Sequence, residues 1–299
     1  MITVPEDLHK VLMMRLYTGQ RQNNEESMSN NQVRKMDYHL HSTHSMDGRQ
    51  TLDEICQRAI ALELNEICIT DHIEPHHPDP GVDKPPVFPV WLKEIAMVRE
   101  KYPKLVIRQG IEIGDNAPYR QEIWATLNAL PLDFRLLSLH LVDNVDPYMP
   151  RYFEGKTKEQ AYYRYAEQRL ESILHFTEYD SVAHLGYVGK FAPFPPEIRP
   201  FRYHHAPDLL DELLKFLVYN GKALEINASG LRQTDSPIPG ADIIKRYLEL
   251  GGELFTFGSD AHQADHIYQH VEQAKEIARS LGARWQASYH ERKCIPWLF

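Results

Sequence analysis

The sequence predicts one α/β domain built as a closed barrel of seven strand–helix units, a (β/α)7 arrangement. Three observations carry this. Short apolar runs of strand length alternate with amphipathic runs of helix length along the 299-residue chain, a length that one α/β barrel accommodates. Histidines and carboxylates recur at or just after the ends of the apolar runs, where barrels of parallel strands gather their reactive groups. The fold alternative, an open doubly wound sheet, lacks its glycine-rich phosphate fingerprint after the first strand.

The chain begins with a polar, aperiodic stretch, Arg21 to Gln32, so residues 1–34 read as a flexible lead-in. A short amphipathic helix is expected within it, over Val4 to Tyr17, with Leu8, Val11, Leu12 and Leu16 on one face. Met28 and Met36 are alternative expected starts, which an intact-mass measurement decides. The barrel is expected to occupy residues 35–299.

The first strand is expected over 35–41. Its alternation turns His39 and His41 to one face, where both can grip one ion, and Asp47 follows in a polar loop ending at Gly48. Thr51 and Glu54 have capping-box spacing and open a helix to about residue 62. A strand over 66–70 then delivers Asp71 and His72, ahead of a long Pro-rich loop to residue 89. Further helices are expected over 89–102, 117–130, 157–177, 207–220 and 241–250. The strands between and after them, 105–112, 134–139, 180–184, 223–227 and 254–262, carry Glu112, His140, His184, Asp260 and His262 at or near their ends.

Composition excludes several classes. A charge of −9 gives no global attraction for nucleic acid or an anionic membrane, and no apolar stretch approaches bilayer length. No signal-peptide cleavage pattern follows the first apolar patch, and Cys56, Cys68 and Cys294 are too scattered for a disulfide framework or a thiolate zinc site. The expected setting is the reducing cytoplasm. The sequence sets no oligomeric state.

Imidazole nitrogens with carboxylate oxygens suit zinc, iron(II) or manganese, and about nine ligands imply two or three divalent ions at roughly three to four ligands each. Such a cluster generates hydroxide from water near neutral pH and neutralises phosphoryl charge, so a hydrolase is expected. His44, His76, His77, His204, His205, His266 and His270 read as loop or surface residues, with one of His76 and His77 free to line the substrate entrance. Asp71 is expected to orient a neighbour, and Tyr162, Tyr163 and Tyr165 to pack a helix.

Six strings, His39-Leu40-His41 with Asp47-Gly48, Thr70-Asp71-His72, Gly110-Ile111-Glu112, Ser138-Leu139-His140, Ala183-His184-Leu185-Gly186 and Gly258-Ser259-Asp260-Ala261-His262, resemble the ordered motifs of the polymerase and histidinol phosphatase (PHP) family. The resemblance implies a distorted, TIM-like seven-stranded barrel. It assigns His39, His41, Glu112 and Asp260 to a first ion. Glu112 bridges to a second held by His140 and His184, and Asp47, His72 and His262 hold a third. Position 47 carries Asp where some members carry His, and either side chain can serve.

Asp37-Tyr38-His39, Ala183 to Tyr187 and Glu225 to Arg232 resemble most the stand-alone phosphatases of the family, which implies hydrolysis of L-histidinol phosphate to L-histidinol and phosphate. Glu112, Asp260 and His262 are then the catalytic candidates, the last two as helpers of the leaving alkoxide. Arg232 is the first candidate for a phosphate clamp and Lys190 the second. The alternatives are another phosphate ester (nucleotide, oligonucleotide end or phosphotyrosine), an amidohydrolase-like reaction at C–N or C–O bonds, and a non-enzymatic assembly module.

Overall fold

The computed structural model describes residues 34–299, so the helix expected over Val4 to Tyr17 and the polar stretch to Gln32 lie outside the described residues. Seven strands, β1 (Met36–Leu40), β2 (Glu66–Ile73), β3 (Val106–Gly114), β4 (Phe134–Ser138), β5 (Ser181–Val182), β6 (Ala223–Asn227) and β7 (Leu254–Gly258), pair in parallel in chain order. Closure occurs at the carboxyl rim. The His41 N–H donates to the Ala261 carbonyl at 2.9 Å and the Ala261 N–H to the His39 carbonyl at 3.3 Å, joining the chain after β7 to β1.

Helices α1 (Leu52–Ala61), α2 (Phe88–Lys101), α3 (Arg120–Asn128), α4 (Lys158–His175), α5 (Pro207–Tyr219) and α6 (Ala241–Glu249) connect the strands. Each starts within a residue of its expected position except α3, whose first turn is a separate 3-10 segment, Ala117–Tyr119. The capping box forms as its spacing implies: Thr51 Oγ1 accepts from the Glu54 N–H at 3.2 Å, and Glu54 Oε2 accepts from the Thr51 N–H at 2.7 Å. Tyr162 and Tyr165 are buried and Tyr163 is exposed, as helix packing requires.

Three differences from the sequence reading have physical causes. First, β2 runs through Asp71 and His72, because β3 pairs with it out to Ile73. Second, β5 is only two residues long. The Ala183 N–H still donates to the Leu137 carbonyl at 2.9 Å, but the next N–H, of His184, donates to the Glu225 side chain at 2.7 Å, and the fully buried Arg169 on α4 donates to the carbonyls of Leu137 and Ala183 at 2.6 and 3.1 Å. Third, residues 263–299 contain α7 (Val271–Ser280), β8 (Trp285–His290) and β9 (Lys293–Leu298), which the periodicity left unread.

Strand β8 pairs with β7 for two residues only, then turns under the barrel with antiparallel β9. The turn is a two-residue loop in which Glu291 and Arg292 both take positive φ, 48° and 67°, the geometry that matches strand twist. This hairpin closes the amino-terminal end. Asp133, just before β4, accepts from the Glu291 N–H at 3.0 Å, and Asp180, just before β5, accepts from Arg292 Nε at 2.6 Å.

Above the turn, Tyr289 and Ala287 join Met36, Tyr38, Cys68, Phe134, Leu136 and Ala183 in an apolar plug inside the barrel. The Tyr38 hydroxyl, which donates to Glu66 at 2.5 Å, also accepts the Tyr289 N–H at 2.8 Å, so the plug is hydrogen-bonded as well as packed. The buried imidazoles therefore gather at the other end, the carboxyl rim.

Phe134 is fully buried with its ring edge on Tyr38, centroids 5.2 Å apart. Phe134→Ala is expected to destabilise the fold by about 3–5 kcal/mol, the range for emptying an aromatic core position. Urea titration checks it through a lower midpoint at unchanged slope.

Candidate metal centre

The candidate ligands named from the sequence converge at the carboxyl rim, and Glu112 stands at their centre. Its Oε2 lies 3.0 Å from His39 Nε2, 3.3 Å from His41 Nε2 and 3.2 Å from His72 Nδ1. Its Oε1 lies 2.9 Å from His184 Nε2 and 3.4 Å from His140 Nε2. The two oxygens of one carboxylate thus face two different sets of imidazoles, the geometry of a bridge.

Asp260 Oδ1 lies 3.8, 3.7 and 3.6 Å from His39, His41 and His262. Asp47 reaches the rim from the loop after β1, its Oδ2 3.0 Å from His262 Nε2 and its Oδ1 3.8 Å from His72 Nε2. Three groups with ligand atoms all within 4.8 Å of one another overlap the expected sets: His39, His41 and Glu112; Glu112, His140 and His184; His41, His72 and His262. The structure also brings His41 into reach of the third group, and His184 into reach of His39 and Asp260.

Two buried acids escaped the sequence reading. Glu225 on β6 accepts from His39 Nδ1 at 2.6 Å and from the His184 N–H at 2.7 Å. Glu74, just beyond β2, accepts from His140 Nδ1 at 2.6 Å. With Nδ1 of His39 and His140 donating, Nε2 of each keeps its lone pair for the shared site. His41 follows the same rule through Ser45, whose hydroxyl donates to Asp71 Oδ1 at 2.8 Å and accepts from His41 Nδ1 at 3.2 Å. Asp71 also accepts from Trp91 Nε1 at 2.8 Å and from the Ser42 N–H at 2.7 Å, the orienting role expected of it.

Glu225 had one legible signal, a charged residue in the apolar run Ala223 to Ile226. Glu74 had none, because nothing marks one acid in a Pro-rich loop. Both are crowded by glycines that admit no side chain: a Cβ on Gly258 would lie 2.3 Å from His39 Cβ and 2.6 Å from Glu225 Oε1, and one on Gly114 would strike the Glu74 carboxylate.

Arg232 donates to the carbonyls of Ser259 and Asp260 at 2.7 and 3.2 Å, using two of the five N–H donors of a guanidinium. Lys190 Nζ meets Asp260 Oδ2 directly, with one-tenth of its side chain exposed. Asp260 itself has φ of +54°, an uncommon conformation for a residue with a Cβ. It is held there because Asp37 Oδ1 accepts from the Ser259 N–H at 2.9 Å while Arg232 grips the carbonyls on either side.

Burial opposes charge throughout the cluster, yet mutual pairing wins at most positions. Despite burial, Glu112, Glu225 and Asp260 hold His39 well above the usual imidazole range, and Glu74 and Glu112 do the same for His140. Against the same burial, Glu112, Glu74 and Asp47 raise His72 to about 9. His41 goes the other way, pushed well down by burial and by the neighbouring His262 and His72. For Glu112 burial is overcome by His39 and His72, which keep it well below the carboxylate range.

Protons on imidazoles here balance the buried acids, a role that divalent cations fill equally well. The residues fit such ions. His41 Nε2, His72 Nδ1 and His262 Nε2 are buried without a hydrogen-bond partner among the described residues, and the nitrogen and oxygen donors suit zinc, iron(II) or manganese.

A parallel β/α barrel whose carboxyl rim gathers imidazoles around a shared carboxylate defines a metallohydrolase class. The PHP domain family model matches residues 37–229, and the chain belongs to the PHP family. It is 28% identical over 263 residues to the histidinol-phosphatase of Lactococcus lactis, covering 87% of this chain and 96% of that relative. With the probable histidinol-phosphatase of Thermotoga maritima the identity is 31% over 246 residues, covering 82% and 91%. The crystal structure of the Lactococcus lactis histidinol phosphate phosphatase, complexed with zinc, L-histidinol and phosphate, superposes with a TM-score of 0.80 at 28% identity, covering 88% of this chain and all of that one.

Two expectations follow. Glu225→Gln keeps shape but removes the charge that fixes His39, so metal affinity is expected to fall about 10–100-fold, read by chelator competition. In metal-free protein, the His72 contribution to stability is fully present below its unfolded value of 6.5 and is lost as pH rises through about 9. Glu74, lowered to about 2 by His140 and His72 against burial, contributes above 4.5 and loses that contribution as pH falls through about 2. Because an ion requires neutral His72, added zinc is expected to raise the melting temperature more at pH 9 than at pH 6, checked by thermal melts with and without chelator.

Proposed function

We propose that this chain is a phosphomonoesterase, dependent on two or three divalent ions, that hydrolyses L-histidinol phosphate to L-histidinol and phosphate. The observation that carries the reading is Glu112, whose oxygens address two imidazole groups at once in a barrel that superposes on a phosphatase complexed with zinc, L-histidinol and phosphate.

His39, His41, Glu112 and Asp260 would hold the first ion, Glu112, His140 and His184 the second, and Asp47, His72 and His262 the third. Bound divalent ions supply Lewis acidity, lowering the pKa of water and offsetting charge on the phosphoryl oxygens. The remaining work belongs to the chain. Lys190, which meets Asp260 directly, would bind a phosphoryl oxygen, and Arg232, whose guanidinium spends two N–H groups on the Ser259 and Asp260 carbonyls, would be the second phosphate contact through those that remain.

Asp260 and His262 differ as proton carriers for the leaving alkoxide. Against its burial, Lys190, His39 and His262 keep Asp260 well below the usual carboxylate range, so it carries no proton to donate near neutral pH. His262, about a quarter exposed, is the more open to solvent of the two.

The test is phosphate release from L-histidinol phosphate, a nucleoside monophosphate, a 5′-phosphorylated oligonucleotide and a phosphotyrosine peptide, at equal enzyme and metal. L-Histidinol phosphate is expected to dominate, and negligible turnover of it sinks the proposal. Glu112→Ala is expected to lower kcat/KM by more than about a hundredfold, beyond the 10–100-fold typical of losing an outer-shell partner.

A further inference from the structure

Helix α4 buries a stripe at helical spacing that includes Tyr162, Tyr165, Ala166, Arg169 and Ile173, so an arginine stands where the pattern calls for an apolar residue. Its side chain is fully buried. Only Nη2 is engaged, on the Leu137 and Ala183 carbonyls, while Nε and Nη1 have no hydrogen-bond partner among the described residues. Burying a guanidinium for two bonds to neutral carbonyls is a poor route to stability, since an apolar side chain of similar volume fills the same space without the desolvation penalty. What the arginine holds explains its place.

Leu137 lies in β4 shortly before His140, and Ala183 follows β5 immediately before His184. The β4–β5 ladder pairs Leu136 with Ser181 and Leu137 with Val182, and it ends where the second-ion residues begin. There the Ala183 N–H donates to the Leu137 carbonyl at 2.9 Å, and Arg169 Nη2 donates to the same carbonyl at 2.6 Å and to the Ala183 carbonyl at 3.1 Å. The His184 N–H, on the other side of the same peptide group, donates to Glu225 Oε2 at 2.7 Å. The Ala183–His184 peptide is thus gripped at its oxygen from α4 and at its nitrogen from β6. His184 depends on this grip more than its neighbours do. Nδ1 of His39 and of His140 is fixed by an acid, whereas His184 Nδ1 is buried without a hydrogen-bond partner among the described residues. With no anchor at the far nitrogen, outer hydrogen bonds steer this ring through its backbone.

We infer that Arg169 is a positioning residue for the second ion: by tying the Ala183–His184 peptide to β4 it fixes the spacing of His140 and His184. The ring centroids of the pair lie 5.3 Å apart, and their Nε2 atoms face Glu112 Oε1 at 3.4 and 2.9 Å. The inference rests on the assignment of His140 and His184 to one ion in the reading above. A slack tie lets the two nitrogens drift apart, and a divalent ion loses affinity as its ligand geometry loosens. Apart from the shared Glu112, the ligands assigned to the first and third ions stand on β1, β2 or β7 or just after β1 and β7, on segments to which Arg169 makes no hydrogen bond. The effect is therefore confined to one ion.

The experiment is zinc titration by chelator competition on the wild type, Arg169→Met, His140→Ala and the combination of the two substitutions, which closes a thermodynamic cycle. Arg169→Met keeps an apolar stem but no donor, and it is expected to weaken one ion by about tenfold or more while the others stay within about threefold. Combined with His140→Ala, which already disables that ion, it is expected to add no further loss. An unchanged titration, uniform weakening of every ion, or full additivity with His140→Ala overturns the inference while the second-ion assignment stands. Zinc binding unaltered by His140→Ala alone overturns that assignment and the inference with it. Should Arg169→Met fail to fold, the wild type decides, because the coupling between ion and tie is reciprocal. Zinc is expected to slow hydrogen exchange of the Arg169 guanidinium by about tenfold relative to chelator-treated protein, and equal exchange rejects the tie.

Discussion

A single buried carboxylate sets the terms for the whole rim. Glu112 sits among five imidazoles, each with a nitrogen within 3.4 Å of one of its oxygens, and it has almost no contact with water. An isolated charge in that position would be prohibitively costly, so the fold surrounds it with cations or with groups that hold cations. This requirement propagates outward. His39 and His140 donate their far nitrogens to Glu225 and Glu74, and His41 donates to a serine that is itself held by Asp71. The acids of the outer layer are therefore consequences of the first one.

Backbone geometry answers to the same centre. Asp260 reaches the cluster from a left-handed conformation, which by itself disfavours any residue with a Cβ. Asp37, at the start of the barrel, accepts both the Ser259 N–H and the Tyr268 N–H at 2.9 Å, and Arg232 holds the adjoining carbonyls. The hydrogen bonds that close the barrel involve Ala261, the next residue along. Closing the sheet and aiming Asp260 are thus one structural event. Arg232 consequently has a positioning role whether or not its remaining donors also reach phosphate.

How much of this was readable beforehand depends on the kind of signal. A candidate ligand at a strand end leaves two marks, the apolar run and the polar residue that stops it, and His72, Glu112, His140 and His184 carried both, while His39 and His41 were marked by their alternation within one strand. Glu225 carried a weaker mark, one acid inside an apolar strand, whose meaning appears only once His39 is seen beside it. Glu74 carried none. The β8–β9 hairpin was missed for a different reason. It begins after helix α7, and its turn residues are Glu291 and Arg292 rather than the Asn-Gly or Gly-Gly that usually announce positive φ. Tertiary contacts with Asp133 and Asp180 support that turn, and no local pattern encodes them.

The two ends of the barrel divide stability from chemistry. At the floor, the hairpin inserts Tyr289 and Ala287 among Tyr38, Phe134 and Leu136 in close packing, and the buried Glu66 beside them accepts from Tyr38 and pairs with Arg108 at 2.8 Å. At the rim the strands carry His39, His72 and Glu112, while His41, His140, His184, Asp260 and His262 follow within a few residues of strand ends. The candidate ligands on strands are tied to register, because a slip of one residue turns each to the opposite face, whereas Asp47 comes in from a loop. The loops over residues 75–88 and 141–157 are free of that constraint, so substitutions there leave the cage around Glu112 in place, provided Glu74 and His140 at their bases are kept.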